Sequence, residues 1–358
     1  MVWSNPITRN STALPSNRPY PRRPRPTLGS LAPWAGVAAI FCVGLAWGRY
    51  PVGVSDVLRV LGHAAGLPLD HDWPGVLDTV VMQVRLPRVL AAMLIGGGLS
   101  VAGAAFQGLF RNPLVSPYIL GVASGAGFGA ALGILLWNSP WVIQGSAFFF
   151  GMLAVSAAWG MSRLYRSSGP MIIILAGVVV GAFFQSLLSL VKYMADPDDK
   201  LPVIVYWLMG SLSSMTMDRL LTVCLPVGVC VLGLLLIRWQ LNVLSLGDEE
   251  ARTLGVEAGR LRLGVIVAVT VITASAVSVS GIIGWVGLVV PHLARMLVGP
   301  DYRRLIPASL ALGACYLVLI DGLARNLTAT EIPLGILTAS VGAPFFAVLL
   351  GRGRTGWA

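Results

Sequence analysis

Charged residues are scarce in this chain, which is 56% hydrophobic and only 11% charged over 358 residues. A soluble fold of that length needs many more polar residues to cover its surface, so the composition excludes a soluble globular domain. Crossing about 30 Å of hydrocarbon takes roughly 20 apolar residues in a helix, and the sequence supplies such runs repeatedly. It therefore predicts an all-α polytopic membrane protein.

Lysine is nearly absent, and this shortage excludes one kind of nucleotide site. A P-loop needs a lysine directly after a glycine, so that the ammonium group reaches the terminal phosphates. The only lysines, Lys192 and Lys200, both follow residues other than glycine. The chain is therefore not itself a P-loop ATPase, and we expect it to bind no cofactor of its own.

Cysteine and histidine are too few and too dispersed to predict a metal site or a catalytic centre. The four cysteines lie in apolar stretches without a C-x-x-C pair, and the three histidines are far apart in the chain. The acidic run of Asp196, Asp198 and Asp199 leaves open a magnesium–diphosphate site. No second acidic motif faces that run, so a solvated loop is the simpler interpretation.

The apolar runs predict about ten membrane-spanning helices. The predicted spans are 31–49, 88–110, 117–137, 140–163, 170–194, 219–241, 262–280, 282–298, 304–324 and 333–351. Residues 201–215 are apolar but too short for a span and predict a re-entrant or buried half-helix.

The domain organisation follows from these spans: a single transmembrane domain, 31–351, between two short tails. Residues 1–30 are rich in Pro and Arg and predict a disordered tail rather than a cleaved signal peptide, because no A-x-A site follows the first apolar run. Residues 352–358 form the C-terminal tail.

The distribution of charge predicts the orientation of the chain. With the N-terminal tail inside, 17 of the 25 Lys and Arg residues and 5 of the 15 acidic residues are inside, which leaves a net charge of +12 inside and −2 outside. The positive-inside rule then predicts that both termini are cytoplasmic. Attraction to the anionic membrane surface explains the total charge of +10 without a nucleic-acid partner.

Arg85 and Arg88 contradict this trend, since they precede the second span on the predicted outer side. Both could be interfacial anchors whose charged ends snorkel to water. Arg85 also has Asp78 within reach as a local ion-pair partner.

The hydrophilic segment 242–260 carries helix signals on the predicted cytoplasmic side. In order, they are a cap-like Asp248 after Gly247, then Glu249 and Glu250 in a first turn, and Gly255 as a stop. A second short turn is predicted to begin near Val256 and to make a helix pair joined at a glycine. The alternative is an ordinary loop between spans.

Glycine spacing and isolated polar residues give further predictions. Glycines every four residues from Gly121 to Gly133 predict a close-packed helix face rather than a phosphate-binding loop. The prolines of RNPLVSP predict a turn after the second span. Gln107 and Gln185 lie deep in apolar helices, so they predict either helix–helix hydrogen bonds or, together with Asn112, the lining of a path.

Several motifs together resemble one family, the type II ATP-binding-cassette importer permeases for iron–siderophores, haem and vitamin B12. The run EEARTLG is similar to the E-A-A…G coupling loop of importer permeases. The family's other motifs are similar to VRLPRVLAAMLIGGG, YWLMGSL, GIIGWVGLVVPHLARMLVG and EIPLGILTASVGAPFF, which occur in the same order. The resemblance covers nearly all of residues 80–351.

The resemblance implies a type II permease fold in a bacterial or archaeal cytoplasmic membrane. Two copies of a ten-helix subunit would enclose a central path, two cytosolic subunits would bind ATP, and an extracytoplasmic binding protein would deliver an iron–siderophore, or else haem, cobalamin or molybdate. The implied ATPase contacts are Leu246, Gly247, Asp248, Glu249, Glu250, Ala251, Leu254 and Gly255. The implied docking residues for the binding protein are Arg85, Arg88 and Arg325.

Two other classes of membrane protein compete with this interpretation. An ion-coupled secondary transporter needs ionisable residues near the middle of the membrane, and Asp321 with Arg325 is the closest approach to such a pair. A membrane enzyme needs a convergent set of acids, bases or metal ligands, which the sequence does not predict.

Overall fold

The structure is a computed structural model that describes residues 32–164 and 170–352. Within these ranges the chain forms helices and no strand. The helices are α1 (Ala32–Ala46), α2 (Val54–Ala64), α3 (Gly75–Asp78), α4 (Leu86–Leu109), α5 (Val122–Leu136), α6 (Pro140–Leu164), α7 (Pro170–Met194), α8 (Lys200–Leu208), α9 (Met217–Leu236), α10 (Arg238–Leu246), α11 (Asp248–Thr253), α12 (Ala258–Ser280), α13 (Val286–Val298), α14 (Tyr302–Asn326) and α15 (Leu334–Arg352).

Each of the predicted spans coincides with a helix, which confirms the polytopic all-α architecture. In the described ranges, six helices are long and apolar enough to cross a membrane, and four further apolar helices are shorter. The longest begins at Gly75 and runs through a π-helical segment, Thr79–Arg85, into α4. The predicted tail 1–30 and residues 353–358 lie outside the described residues.

Helix α4 is the centre of the bundle, and 83% of its most apolar window is buried. Its glycines allow this burial, because a Cβ at Gly96 would collide with the backbone of Gly313 in α14 and a Cβ at Gly103 with that of Gly287 in α13. Small residues let helix backbones approach closely in a membrane. Helix α14 runs antiparallel to α4, so its start at Tyr302 packs on Gly108 and its far end reaches the start of α4.

The glycine face of α5 packs against α6, as its spacing predicts. A Cβ at Gly125 would lie 2.7 Å from the Cβ of Ala154, and a Cβ at Gly133 would lie 2.8 Å from Ser146 Oγ. Gly121 has a different role, because it lies between a 3₁₀ turn, Pro117–Leu120, and the start of α5. Its φ of 84° changes the direction of the chain there. This 3₁₀ turn and the loop before it confirm the predicted turn at RNPLVSP.

Two boundaries differ clearly from the predicted spans, whereas the predicted half-helix is present. Helix α9 ends at Leu236, and α10 then leads away from it. Helix α13 begins only at Val286, because Gly281 and Trp285 both have a φ of 68°, outside the helical range. Helix α8 has nine residues, or about 13 Å, which agrees with a half-helix rather than a span.

Candidate functional site

The antiparallel packing of α4 and α14 brings four ionised side chains together at one end of the bundle. Arg88 Nε donates to both Asp321 carboxylate oxygens at 2.9 and 3.1 Å. Its Nη1 and Nη2 atoms donate to the Glu331 carboxylate at 2.9 Å each. Arg325, one turn after Asp321, completes the group at 3.1 Å from that carboxylate. We call these four residues the Arg88 cluster.

The Arg88 cluster is neutral in sum and almost closed to solvent. Arg88, Asp321 and Arg325 are 6%, 1% and 7% exposed, whereas the Glu331 side chain is 28% exposed. Isolated buried charges are very unfavourable, so the alternation of two cations with two anions is what permits this burial. Glu331 is the one member with substantial access to solvent.

Arg85 donates hydrogen bonds to carbonyl groups at the end of α1 instead of joining the Arg88 cluster. Its guanidinium donates to the carbonyl oxygens of Leu45, Ala46 and Tyr50 at 2.7, 2.9 and 2.5 Å. A cation is favourable there because the last carbonyl groups of a helix have no partners inside the helix. Asp78, the local partner considered from the sequence, instead accepts hydrogen bonds from side chains in the loop before it.

The structure thus places the three predicted docking arginines at one end of the bundle, but in contact with partners from the same chain. Their burial does not fit simple snorkelling anchors, since the charged groups are enclosed. Docking on these arginines stays a prediction, with one added condition for Arg88 and Arg325: a partner carboxylate must displace an internal one. Sequence reasoning identified Asp321 beside Arg325 but missed Glu331, although these two are the only acidic residues after Asp301.

The predicted coupling segment lies at the opposite end of α14. Asn242 in α10 donates to the Asp301 carboxylate at 2.7 Å and accepts from the Tyr302 backbone N–H at 2.9 Å. The pKa of Asp301 lies below its ordinary value. Burial raises this pKa, but hydrogen bonds from the Arg303 N–H and the Asn242 amide together lower it by more. A helix as long as α14 spans about 37 Å, so the Arg88 cluster and this segment are at opposite ends of the bundle.

The end of α11 is held by a glycine stop. Gly255, with a φ of 75°, donates its N–H to the Arg252 carbonyl, and Val256 donates to the Ala251 carbonyl at 2.9 Å. This is the Schellman pattern, in which a left-handed glycine satisfies the last carbonyl groups. Ala251 is fully buried and Val256 is 7% exposed, so both anchor the turn. The predicted stop at Gly255 is confirmed.

The start of α11 differs in detail from the prediction. Gly247 is the capping residue and Asp248 is the first residue of the helix. A Cβ at Gly247 would collide with the Glu250 carboxylate, which folds back over the helix start. Glu249 and Glu250 are exposed, and so are the flanking Leu246 (62%) and Leu254 (56%).

The predicted second turn after Val256 is wrong. Residues from Ala258 onward belong to the long helix α12, and the short partner of α11 is α10, which precedes it. The helix pair therefore exists, but it is joined at Gly247 rather than at Gly255. The sequence prediction missed this because the predicted span 219–241 ran into the first residues of α10, so α10 was not separated from α9. We call residues 238–255 the α10–α11 segment.

The predicted path residues are in three different environments. Gln107 is 2% exposed, accepts from Arg295 at 3.2 Å and donates to the Leu288 carbonyl at 3.4 Å, so it joins helices. Asn112 caps the turn after α4, where its side chain accepts from the Leu114 N–H at 2.9 Å. Gln185 lies on an exposed face of α7.

The Asp196 run forms a turn. The Asp196 carboxylate accepts the backbone N–H groups of Asp198 and Asp199 at 2.8 and 3.1 Å, which agrees with the loop interpretation. Within the described ranges, no group of three or more His, Cys, Asp or Glu side chains could hold a metal ion.

The fold and these two ends define a multi-pass membrane protein of the transport-permease class. The chain belongs to the FecCD transport family, whose match covers residues 36–352, and it is a permease of an ATP-binding-cassette importer.

Individual relatives support this assignment. The chain is 40% identical over 321 residues, 89% of this chain and 94% of the relative, to the molybdate import system permease protein MolB of Haemophilus influenzae. It is 41% identical over 278 residues, 78% of this chain and 84% of the relative, to a probable iron chelatin transport system permease protein of Helicobacter pylori. A solved inward-facing structure of a metal-chelate type ABC transporter matches with a TM-score of 0.79 and 38% identity, over 90% of this chain and 98% of that one.

Proposed function

We propose that this permease carries an iron chelate across a bacterial or archaeal cytoplasmic membrane, with both termini in the cytoplasm. An extracytoplasmic binding protein delivers the cargo to the Arg88 end, and two ATPase subunits, which bind the ATP, dock on the α10–α11 segment. The observation that carries the proposal is the family match across the bundle, supported by an exposed acidic helix at the end opposite the Arg88 cluster. Molybdate is the second candidate cargo, favoured by the similarity to the molybdate permease.

Reconstituted vesicles test the energy source. We expect ATP-dependent uptake only when the permease, a matching ATPase and a loaded binding protein are all present. Vesicles that contain a non-hydrolysable ATP analogue are the control. Uptake driven by an ion gradient without the ATPase would overturn the proposal in favour of a secondary transporter. A ligand panel on the partner binding protein, followed by its thermal unfolding, would identify the cargo.

The proposal includes a second copy of the chain packed near α7. Gln185, Ser186 and Ser189 lie on the exposed face of that helix. Polar side chains in a membrane face protein or water rather than lipid, so this face fits a central path between two subunits. In a variant without native cysteines, Ser189→Cys should form disulfide-linked dimers, whereas Val229→Cys on the exposed apolar face of α9 should not. Equal cross-linking of both variants would contradict the arrangement.

Docking of the binding protein at the Arg88 cluster requires an exchange of carboxylates. Glu331 is the most exposed acid on Arg88, so it is the one that a partner carboxylate would replace. Charged pairs of this kind orient a complex and increase its association rate. Glu331→Gln removes the competing charge and should strengthen docking, while Arg88→Gln should weaken docking and reduce its sensitivity to salt. Unchanged docking in both variants, measured by surface plasmon resonance, would exclude Arg88 as a contact.

A further inference from the structure

A cavity of about 280 Å³ lies beside the half-helix α8, and no residue of the Arg88 cluster lines it. Its walls come from the turn before α6 and the start of that helix, from α8, from the loop 209–216 and the first turn of α9, and from the end of α12. The loop is tied to neighbouring elements by backbone hydrogen bonds: the Ser211 N–H donates to Ser280 and the Leu334 N–H donates to Gly210. Leu334 follows Glu331 by three residues, so the cavity is at the Arg88 end of the bundle.

The side chains that line the cavity include one cation, Arg219, and no anion. Its polar lining consists of Arg219, Tyr206, Asn138 and several serines, with no aspartate, glutamate, histidine or cysteine. These groups are poor ligands for a metal cation, which needs anionic oxygens, imidazoles or thiolates. The lining therefore favours a ligand that accepts hydrogen bonds and carries negative charge.

Arg219 has unused donors in this cavity. Its Nη1 donates to the Ser214 carbonyl at 3.2 Å and to the Ser214 hydroxyl at 3.0 Å. Across the described part of the chain, no carboxylate lies within ion-pairing distance of Arg219, and its Nε and Nη2 atoms make no hydrogen bond. The Nε–Nη2 edge of a guanidinium binds two oxygens of an anion side by side.

The serines beside Arg219 provide further donors. Ser211 donates its hydroxyl to Ser213 at 3.0 Å, which leaves the Ser213 hydroxyl hydrogen available. The Ser214 hydroxyl accepts from Arg219 and keeps its own hydrogen in the same way. A guanidinium edge and two hydroxyl groups are a complementary set for a tetrahedral oxyanion or a carboxylate.

We propose that this cavity is an anion site in which Arg219, with Ser213 and Ser214, binds the oxygens of a small oxyanion or of one acidic group of a larger ligand. Its volume is at the lower limit of small-molecule sites, so it excludes a whole bulky chelate. The inference extends the proposed function and rests on it, because the proposed function places the cavity on the cargo side of the membrane. It makes recognition of negative charge a property of the permease itself.

The full chain in phosphatidylcholine nanodiscs, without ATPase or binding protein, provides the test. Molybdate and sulfate are titrated at constant ionic strength against chloride, with Trp207 in the cavity wall as the fluorescent reporter. We expect a saturable change that is lost in Trp207→Phe and weakened at least about tenfold in Arg219→Gln. Arg219→Lys should retain part of the affinity. The matched control is Arg59→Gln, which removes the same charge from an exposed side chain.

A second arm separates a free anion from a lipid headgroup. Phosphatidylglycerol is added to the nanodiscs, and retained lipid is measured by native mass spectrometry. Competition with molybdate in the wild type, or loss of retained lipid only in Arg219→Gln, would show that headgroup phosphate shares the site. Equal responses of Arg219→Gln and Arg59→Gln to every anion would overturn the proposal. Because no ATPase is present, failure of ATP-driven uptake would count against the proposed function and not against this site.

Discussion

Charged side chains are buried near one end of α14 and exposed near the other. Near its last turns, the Arg88 cluster encloses two cations and two anions that satisfy each other. Near its first turn, the α10–α11 segment keeps Glu249 and Glu250 in contact with solvent and is anchored by buried apolar side chains. The enclosed end is specified within the chain, whereas the exposed end displays groups that another protein can bind.

The largest expected effect is the loss of transport in Gly255→Pro. Proline lacks the N–H that donates to Arg252 and cannot adopt a φ of 75°. The end of α11 should lose its shape while the bundle remains folded, and ATP-driven uptake should disappear. Gly259→Ala is the matched control, because a Cβ there meets no atom within 4 Å. Normal uptake by Gly255→Pro would show that the shape of this end does not matter for coupling.

Breaking the ion pairs of the Arg88 cluster should instead lower the free energy of unfolding. Arg88→Met leaves Asp321 and Glu331 without their shared cation, and removal of one partner from a buried ion pair costs about 3–5 kcal/mol. Thermal unfolding in detergent measures this cost. Arg59→Met, which breaks an exposed ion pair with Asp72 at 3.8 Å, should have little effect. Equal melting temperatures for the two variants would mean that the Arg88 cluster is not a stabilising unit.

Arg85→Gln should have a smaller and more local effect. The substitution removes the cation from the end of α1, where a charge of this sign contributes up to about 2 kcal/mol in a partly buried position. We expect faster hydrogen exchange in the α1–α2 connection and little change elsewhere. Arg85→Lys should recover part of the protection. Protection that is unchanged in Arg85→Gln would show that the guanidinium does not hold this helix end.

The smallest expected effect concerns the loop between α2 and α3, at the Arg88 end. Its His71 ring makes a 2.9 Å hydrogen bond with Asp78, which raises the pKa of His71 above 6.5. The pair therefore stabilises the loop at pH values below 6.5 as long as Asp78, whose pKa is lowered by His71, stays ionised. This stabilisation is lost as the pH rises through the raised pKa of His71. Hydrogen exchange of the loop should increase with pH beyond the intrinsic rate, and Asp78→Asn should abolish that excess.

The positions of the helices followed closely from hydropathy, but their ends did not. A long apolar run specifies a span because lipid penalises unpaired backbone groups. It does not specify where the run stops being helical, which depends on packing. Gly281 departs from helical geometry beside the Trp207 carbonyl, and α10 begins directly after α9 ends, with only Ile237 between them. Neither event has a periodic signal.

The sequence also predicted the chemical types at each end better than their contacts. Arg88 stood out as a charge on the predicted outer side and Gly255 as a helix stop, whereas the family resemblance implied the role of Arg325. Glu331 was overlooked because 243 residues separate it from Arg88, so no local spacing connects the two. Arg219 was not predicted as a site residue, since a single arginine near several serines does not indicate a binding site in a sequence. Only the structure shows that these residues line one cavity.

The sequence by itself determined that this chain is a multi-pass helical protein, which stretches cross the membrane, and where glycines allow close packing. These properties depend on local hydropathy and backbone geometry. Only the tertiary structure decided which charges neutralise one another, that α10 rather than a later turn is the partner of α11, and that Arg219 faces a cavity without an acidic partner. The charge pairs and the cavity depend on helices that are distant in sequence and that only packing brings together, whereas the pairing of α10 with α11 depends on where one helix ends and the next begins.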